Sequence, residues 1–294
     1  MRIGIIPNTT KKEVVKIVNS LINKLDEHGF NYILSKSLLK FEEDFDSSKM
    51  SCEFLPHAEL CSKSDIVISI GGDGTMLTTA YEARNSNTPI LGLNFGKLGF
   101  LAEFEIKDLD ELLTDIKNKN YYIEERTTLE AVCRDVKSDK LFAVNDIVID
   151  KGGWSKMIQL TLQVNNDYVT TFTADGIIIA TPTGTTGYSL SAGGPIVSPS
   201  ADVIVVNPIS PHTLTMRPLV LSSKQKIIVT VDSPYKSVQI NTDGQRVQYF
   251  KPPLTIEIYK SDNPLKLVHT DKMNYFETLR NKLFWGLDIR NNKI

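Results

Sequence analysis

Along the first third of the chain, short unbroken apolar runs alternate with stretches whose apolar positions recur every three or four residues. "RIGIIPN" is the first such run. Lys11 to His28 follows, with Val14, Val15, Ile17, Val18, Leu21, Ile22 and Leu25 at helical spacing, and Gly29 is placed to close that helix. "NYILS", "DIVISI" and "PILGLNFG" read as further strands and Thr75 to Arg84 as a second helix, whereas residues 36 to 63 carry a vague polar pattern that predicts no element. Apolar strands alternating with helices predict a parallel sheet with helices on its faces.

After Glu125 helical periodicity nearly vanishes. "TLEAVC", "FAVNDIVID", "MIQLTLQV", "YVTTFTADGIIIAT", "DVIVVNP", "KIIVTV", "SVQIN" and "LTIEIY" follow in quick succession, separated by Gly, Pro, Asn and Asp. Many short strands between such turns predict an all-β, sandwich-like domain. "NYFETLRNKLFWG" is helical again and predicts a tail that packs back on the first domain. The expected fold is an α/β N-terminal domain with a parallel sheet, residues 1–125 completed by 272–294, and a β-rich domain, residues 126–271. Internal repeats and low-complexity tracts are absent from the sequence.

Composition narrows the partners. The chain has 294 residues, 41% hydrophobic and 23% charged, which is room for two cored domains. No apolar run reaches bilayer length, and "MRIGIIPNTTKK" lacks the apolar core and cleavage site of a secretory signal. The net charge of -2 and pI of about 6.1 provide no basic field for nucleic acid. Cys52, Cys61 and Cys133 leave one thiol unpaired and match no zinc or redox spacing. They read as reduced, structural thiols, and the expected location is the cytoplasm.

"IVISIGGDGTMLTTA" is the first stretch with evident chemistry. Gly71, Gly72 and Gly74 surround Asp73 between a strand and a helix start, where glycines can take positive φ and backbone N–H groups can face an anion. A tight turn without a ligand is the other reading, since Gly and Asp are common turn formers. The dinucleotide fingerprint fails at Leu77, where its third glycine belongs, and at Asn94, where an acid belongs. "GLNFGKLG" fails as a Walker A loop, with three residues between Gly92 and Gly96 and Leu98 in place of a magnesium-binding hydroxyl. A carboxylate inside a phosphate cradle instead suits a phosphoryl transferase, which needs a group to hold the attacking hydroxyl or to help position magnesium.

Downstream, "FTADGIIIATPTGTTGYSLSAGGPIVSP" places Asp175 before a strand and Thr181, Thr183, Thr185, Thr186, Tyr188, Ser189 and Ser191 after it. This density of short hydroxyls and glycines fits a polar, planar ligand; a hydroxyl-rich loop without a partner is the alternative. "GYSLS" departs from the hydrolase elbow at Ser191, where a glycine is required, and lies in the β-rich half.

"GGDGTML", "VNDIVI", "TADG", "TPTGTTGYSLSAGGP", "SPHTLTMRPLVL" and "DGQ", in that order, closely resemble the bacterial NAD kinases, from about residue 66 to 246, and "YFETLRNKLFWG" is similar to that family's ending. The glycine-aspartate turn alone is shared with lipid kinases and phosphofructokinases. The resemblance implies transfer of the γ-phosphoryl group of ATP, or of polyphosphate, to the 2′-hydroxyl of the adenosine ribose of NAD, with Mg2+ or another divalent metal arriving with the nucleotide. It implies Asp73 as acceptor of the hydroxyl proton, with Gly72, Gly74 and Thr75 as the phosphate-facing turn. Because an ordinary aspartate, of pKa about 3.9, is a poor base, that proton moves late and placement outweighs basicity.

The same resemblance places Asn145 and Asp146 at the adenine and ribose; most relatives have Glu where Asp146 stands. Asp175 and Thr186 to Ser191 line the NAD pocket, with Gly187 near the adenine and Tyr188 by the ribose or pyrophosphate. Thr173, Lys156 and Gln245 align more loosely, and Lys156 also reads as a solvated hairpin lysine. Phe100 packs on adenine or is a core aromatic, and His212 is taken as structural. No spacing suggests a protein-held metal, and no nucleic-acid or membrane partner is expected. A homodimer or homotetramer through the β-rich domain is. The alternatives are a lipid or sugar kinase sharing the turn, and an NAD-binding sensor without chemistry.

Overall fold

The computed structural model describes residues 1–44, 52–96, 99–134, 136, 139–270 and 274–285. The Walker-type comparison at Leu98, and residues 272–273 and 286–294 of the expected returning tail, lie outside them. Residues 1–125 and the chain from Leu265 onward form one compact unit; Arg126–Pro264 form another.

In the first unit the apolar runs become β1 (Arg2–Pro7), β2 (Asn31–Ser35), β3 (Phe54–Leu55), β4 (Ile66–Ile70), β5 (Ile90–Asn94), β6 (Phe104–Glu105) and β7 (Tyr122–Arg126). The helices are α1 (Val14–His28), α2 (His57–Ser62), α3 (Asp73–Ala83) and α4 (Leu109–Asn118). α1 buries Val14, Val15, Val18, Leu21, Ile22 and Leu25 on one stripe and ends at Gly29, whose φ of 76° no β-carbon opposes. β3 and α2 occupy the segment whose polar pattern predicts nothing. α4 also has no counterpart in the sequence reading, although Leu109, Leu112, Leu113 and Ile116 bury a regular stripe.

The sheet runs β3-β2-β1-β4-β5, then the strand Leu265–His269, then β7, with β6 beside β5. β1 pairs in parallel with both β2 and β4, so the strand order reverses between β1 and β4, and the glycine turn follows β4 at its carboxyl end. That is where open α/β sheets place their ligands. The strand Leu265–His269 joins β5 in parallel at Leu267 and Ile90. The chain therefore returns to this sheet at Leu265, not at 272: "LKLVH" alternates like the antiparallel strands before it, and nothing local marks its change of sheet.

His269, at the end of this strand, is 4% exposed. Its Nδ1 lies 3.0 Å from Glu103 Oε2 and its Nε2 2.8 Å from Glu124 Oε2. Burial alone would lower the imidazole pKa, but the two carboxylates outweigh it and hold it at about 9.

The second unit is two six-stranded antiparallel sheets. One has the order Leu219–Ser222, Val203–Ile209, Gly176–Ala180, Asp146–Asp150, Val238–Thr242, Arg246–Phe250. The other runs Asp167–Ala174, Ile158–Val164, Ile227–Asp232, Leu254–Lys260, Leu129–Cys133, Leu141–Ala143. Alternate residues of both, such as Ile147, Ile177, Ile240, Leu160, Val229 and Ile256, form one core. The first sheet is covered on its other face too, where Ala192 and Val197 pack on Val148, Ile178, Ala180 and Val205. This explains the unbroken "GIIIA" run.

The His269 cluster sets a pH dependence of stability. Below the ordinary histidine pKa of 6.5 folded and unfolded chains both hold the proton; between 6.5 and about 9 only the folded chain does. Its contribution, of order 3 kcal/mol, is complete below 6.5 and is lost as pH rises through 9. The melting temperature is expected to fall between pH 7 and 9, and His269→Gln to flatten that decline while lowering the temperature at pH 7. Equal slopes for the two proteins would exclude the cluster as its cause.

Candidate active site

Each unit carries its own group of candidate residues. In the first, Gly72 caps α3 and Asp73 is its first helical residue, an acid where the helix dipole favours one. Neither Gly71, Gly72 nor Gly74 has positive φ, which corrects the reading above. Gly71 is needed for close approach, because a Cβ there would fall on Thr75 Oγ1.

The Asp73 carboxylate bonds to a distant loop. Oδ2 accepts the Phe100 N–H at 2.9 Å, and Oδ1 accepts those of Leu101 at 2.9 Å and Ala102 at 3.2 Å. Gly99 lets the loop come this close, since a Cβ there would coincide with Asp73 Oδ1. Lys282 Nζ, from the C-terminal helix Tyr275–Leu283, is 3.5 Å from Oδ2 and 4.6 Å from the centre of the Phe100 ring. Phe100 is thus half-buried beneath an ammonium group, and Asp73 is an anchored anion more than an exposed base.

In the second unit the Val144–Asp146 turn is held from two sides. Asp243 Oδ1 accepts the N–H groups of Val144 at 2.9 Å and Asn145 at 2.7 Å, with Asp146 N–H at 3.4 Å, while Arg246 donates to its Oδ2 at 2.6 Å. Opposite, Thr181 donates its N–H to the Asn145 carbonyl at 2.8 Å and its hydroxyl to the Val144 carbonyl at 2.6 Å. Asp243 and Gly244 sit at φ 57° and 68°, the Asp-Gly hairpin turn between Val238–Thr242 and Arg246–Phe250. Asp243 and Arg246 were not singled out from the sequence, although the "DGQ" signal begins at this aspartate.

Burial, then the charge of Asp243, pushes the Asp146 carboxyl up to about 7. Burial also raises Asp243, against the opposing pull of the Asn145 N–H and Arg246. Asp175 pairs with Lys151 at 2.6 Å. Tyr188 is 48% exposed, and its hydroxyl pKa is raised by burial of its polar end and by the charges of Asp150, Asp175 and Asp146. Asn145, Asp146, Asp175 and Tyr188 are therefore brought into one electrostatic neighbourhood, to which Asp150 and Lys151 also belong.

The hydroxyl-rich loop is built differently from the expectation. Thr181, Thr185 and Thr186 donate their hydroxyls to backbone carbonyls of Val144, Pro182 and Thr183, and Ser189 is fully buried beside Asn207. Those hydroxyls fold the loop. Ser191 and Gly187 are exposed, and no accessible nucleophile stands at Ser189, in keeping with the rejected elbow. Lys156 and Thr173 lie in or beside the other sheet. Lys156 is exposed and donates its N–H to Tyr235 Oη at 2.9 Å, and Thr173 is exposed on the edge strand with its carbonyl accepting from His212 N–H at 2.9 Å. Gln245 is exposed in the Asp-Gly turn.

Among the described residues no cluster of three or more His, Cys, Asp or Glu is arranged to hold a metal ion.

An anchored aspartate at a helix N-terminus beside a sheet's switch point suits a phosphotransferase. The matches to known sequences make the class specific. Family models for the ATP-NAD kinase N-terminal and C-terminal domains match residues 3–121 and 144–270. An NAD kinase of Chlorobium phaeobacteroides is 36% identical over 97% of this chain and 98% of its own. One from Caldanaerobacter subterraneus subsp. tengcongensis is 39% identical over 96% and 98%. Among solved structures, yeast NADH kinase complexed with NADH superposes with a TM-score of 0.90 at 26% identity, over 100% of this chain and 90% of that one. An Archaeoglobus fulgidus NAD kinase in complex with ATP gives 0.75 at 27%, over 97% and 99%. The chain belongs to the NAD kinase family and is a phosphotransferase.

Replacing Asp243 by Ala removes the acceptor of three N–H groups and the carboxylate partner of Arg246, which keeps its bond to the Phe142 carbonyl. Loss of one partner of a buried ion pair costs about 3 to 5 kcal/mol, so Asp243→Ala is expected to unfold at clearly lower denaturant and to bind NAD more weakly. Unchanged unfolding would mean the turn holds itself.

Proposed function

We propose that the chain transfers the γ-phosphoryl group of ATP to the 2′-hydroxyl of the adenosine ribose of NAD, forming NADP. The observation that carries this is the coordination of Asp73. A carboxylate offers about four acceptor positions; three are filled by loop N–H groups at 2.9 to 3.2 Å and the fourth, on Oδ2, is met among the described residues only by an ammonium at 3.5 Å. That fourth position suits a substrate hydroxyl, held rigidly while its proton moves late in the transfer. Catalysis by placement and charge needs no covalent intermediate.

Asn145 and Asp146 would read the adenine and the ribose 3′-hydroxyl, with Asp175 and Tyr188 completing the nucleoside pocket and Gly187 leaving space for the base. The buried Ser189 and the internally bonded Thr186 would act through the loop they stabilise. ATP is favoured over polyphosphate as donor by the ATP-bound archaeal relative, and acceptance of NADH by the NADH-bound yeast one. A divalent cation such as Mg2+, carried in on the donor phosphates, would neutralise charge there.

Exposed Val247 and Tyr249 on one edge strand and Val220 on the other support self-association of the β-rich unit into a dimer or tetramer. Three free cysteines fit work in the reducing cytoplasm. No helix among the described residues is long and apolar enough to cross a membrane.

The test is NADP formation from NAD and Mg-ATP, with NAD binding followed by calorimetry. Wild type should form product. Asp73→Asn should bind NAD but turn over at least about 100-fold more slowly, the lower end for a lost acid-base group. NAD binding without product from wild type, with ATP or polyphosphate, would indicate a sensor.

Asp146 adds a pH signature. With its carboxyl pKa near 7, the ionised, accepting form prevails above neutrality and the protonated form below. The KM for NAD should therefore rise as pH falls from 8 to 6, and Asp146→Asn should remove that slope. A slope surviving in the variant would assign it elsewhere.

A further inference from the structure

Lys282 sits inside the closing segment "YFETLRNKLFWG" and lies 209 residues from Asp73, yet it ends beside it. The cause is helical spacing. Thr278 and Leu279 are buried on the C-terminal helix, and Lys282, three and four residues further on, projects from the same face. Its side chain is only 27% exposed.

The ammonium is committed to neither neighbour. A relaxed N–H···O⁻ bond is about 2.7 to 2.9 Å long, whereas Nζ is 3.5 Å from Asp73 Oδ2. The Phe100 ring face, 4.6 Å from Nζ, holds the cation by its quadrupole without using its three N–H donors. The described residues offer Asp73 no other cation within ion-pair distance. A polyphosphate arriving at the turn brings several negative charges next to that carboxylate, and Coulomb repulsion at this range is severe unless a cation intervenes.

We propose that Lys282 is a phosphate-binding residue of the kinase reaction: it occupies the fourth acceptor position of Asp73 in the free enzyme and passes to the donor's phosphates when they bind. Its departure frees Oδ2 for the acceptor hydroxyl, so donor binding and acceptor placement are coupled through one side chain. The Phe100 ring keeps the lysine stem within reach of both partners. The assignment rests on the kinase reading for its role in turnover, but the anion contact itself can be measured without turnover.

Two variants of the full chain test it. Lys282→Met keeps an unbranched stem over Phe100 and removes the charge; Lys282→Arg restores the charge. Loss of a charge-assisted bond corresponds to about a 10- to 100-fold weakening, so the Met variant should lose about that much kcat/KM for NADP formation. Most of the loss should lie in kcat and the KM for ATP, with the KM for NAD moving less than about threefold. The Arg variant should recover most of the loss. By calorimetry, inorganic tripolyphosphate should bind the Met variant at least about tenfold more weakly than wild type.

A Met variant binding tripolyphosphate as tightly as wild type, no measurable binding by wild type, or an Arg variant as impaired as the Met variant would each overturn the proposal. If wild type formed no NADP while the tripolyphosphate difference remained, the kinase reading would fail and the phosphate contact of Lys282 would stand.

Discussion

Both candidate groups depend on the same constraint: consecutive backbone N–H groups in a loop that buries them must find acceptors, and a single aspartate supplies them. Asp73 gathers the N–H groups of Phe100, Leu101 and Ala102. Asp243 gathers those of Val144, Asn145 and Asp146. A buried N–H left without an acceptor costs free energy comparable to a lost hydrogen bond, and three in a row cannot be satisfied by the flanking chain. The carboxylates thus fix the loops, and the loops fix Phe100, Asn145 and Asp146. In each case, among the described residues, the charge is then answered by a cation, Lys282 or Arg246.

This arrangement also sets the electrostatics. Asp243 is anionic to hold its turn, and that charge, added to burial, is what lifts Asp146 toward neutrality. Two adjacent carboxyl groups thus differ in their surroundings: one accepts N–H donors and the Arg246 guanidinium, and its neighbour is left near its midpoint at about pH 7. In the other unit Asp73 likewise holds three short N–H contacts and one longer contact, to Lys282 at 3.5 Å. The hydroxyls of Thr181, Thr185 and Thr186 serve folding in a complementary way, bonding to the carbonyls of Val144, Pro182 and Thr183 at the start of the short helical turns Thr183–Thr186 and Tyr188–Ser191 that lead into the cover on the second face of the sheet.

Fold class and family were legible because their signals are local. Buried parallel strands need continuous apolar runs, amphipathic helices need a recurring stripe, and the motifs from "GGDGTML" to "DGQ" are contiguous in the chain. β3 and α2 were not legible: a two-residue strand and a six-residue helix are too short to establish a period. The strand Leu265–His269 has a pattern like its predecessors and differs only in its partner, β5. Among the candidate groups, Asp73, Asn145, Asp146 and Tyr188 stand out by type and context, while Gly99 does not, and Asp243 and Lys282, although inside the "DGQ" and "YFETLRNKLFWG" segments, carry no local mark of what they touch.

By itself, then, the sequence determined two architectures and a kinase family, and singled out Asp73, Asn145 and Asp146 as candidates, since each of these follows from short-range periodicity or from residues adjacent in the chain. Only the tertiary structure decided what those groups touch. It drew Asp73 onto a loop 27 to 29 residues away and beside a lysine 209 residues away, and set Asp243 nearly a hundred residues from the turn it holds. Hydrogen bonds and ion pairs are made between atoms a few ångströms apart, and separation along the chain carries almost no information about that distance once strands pair across it.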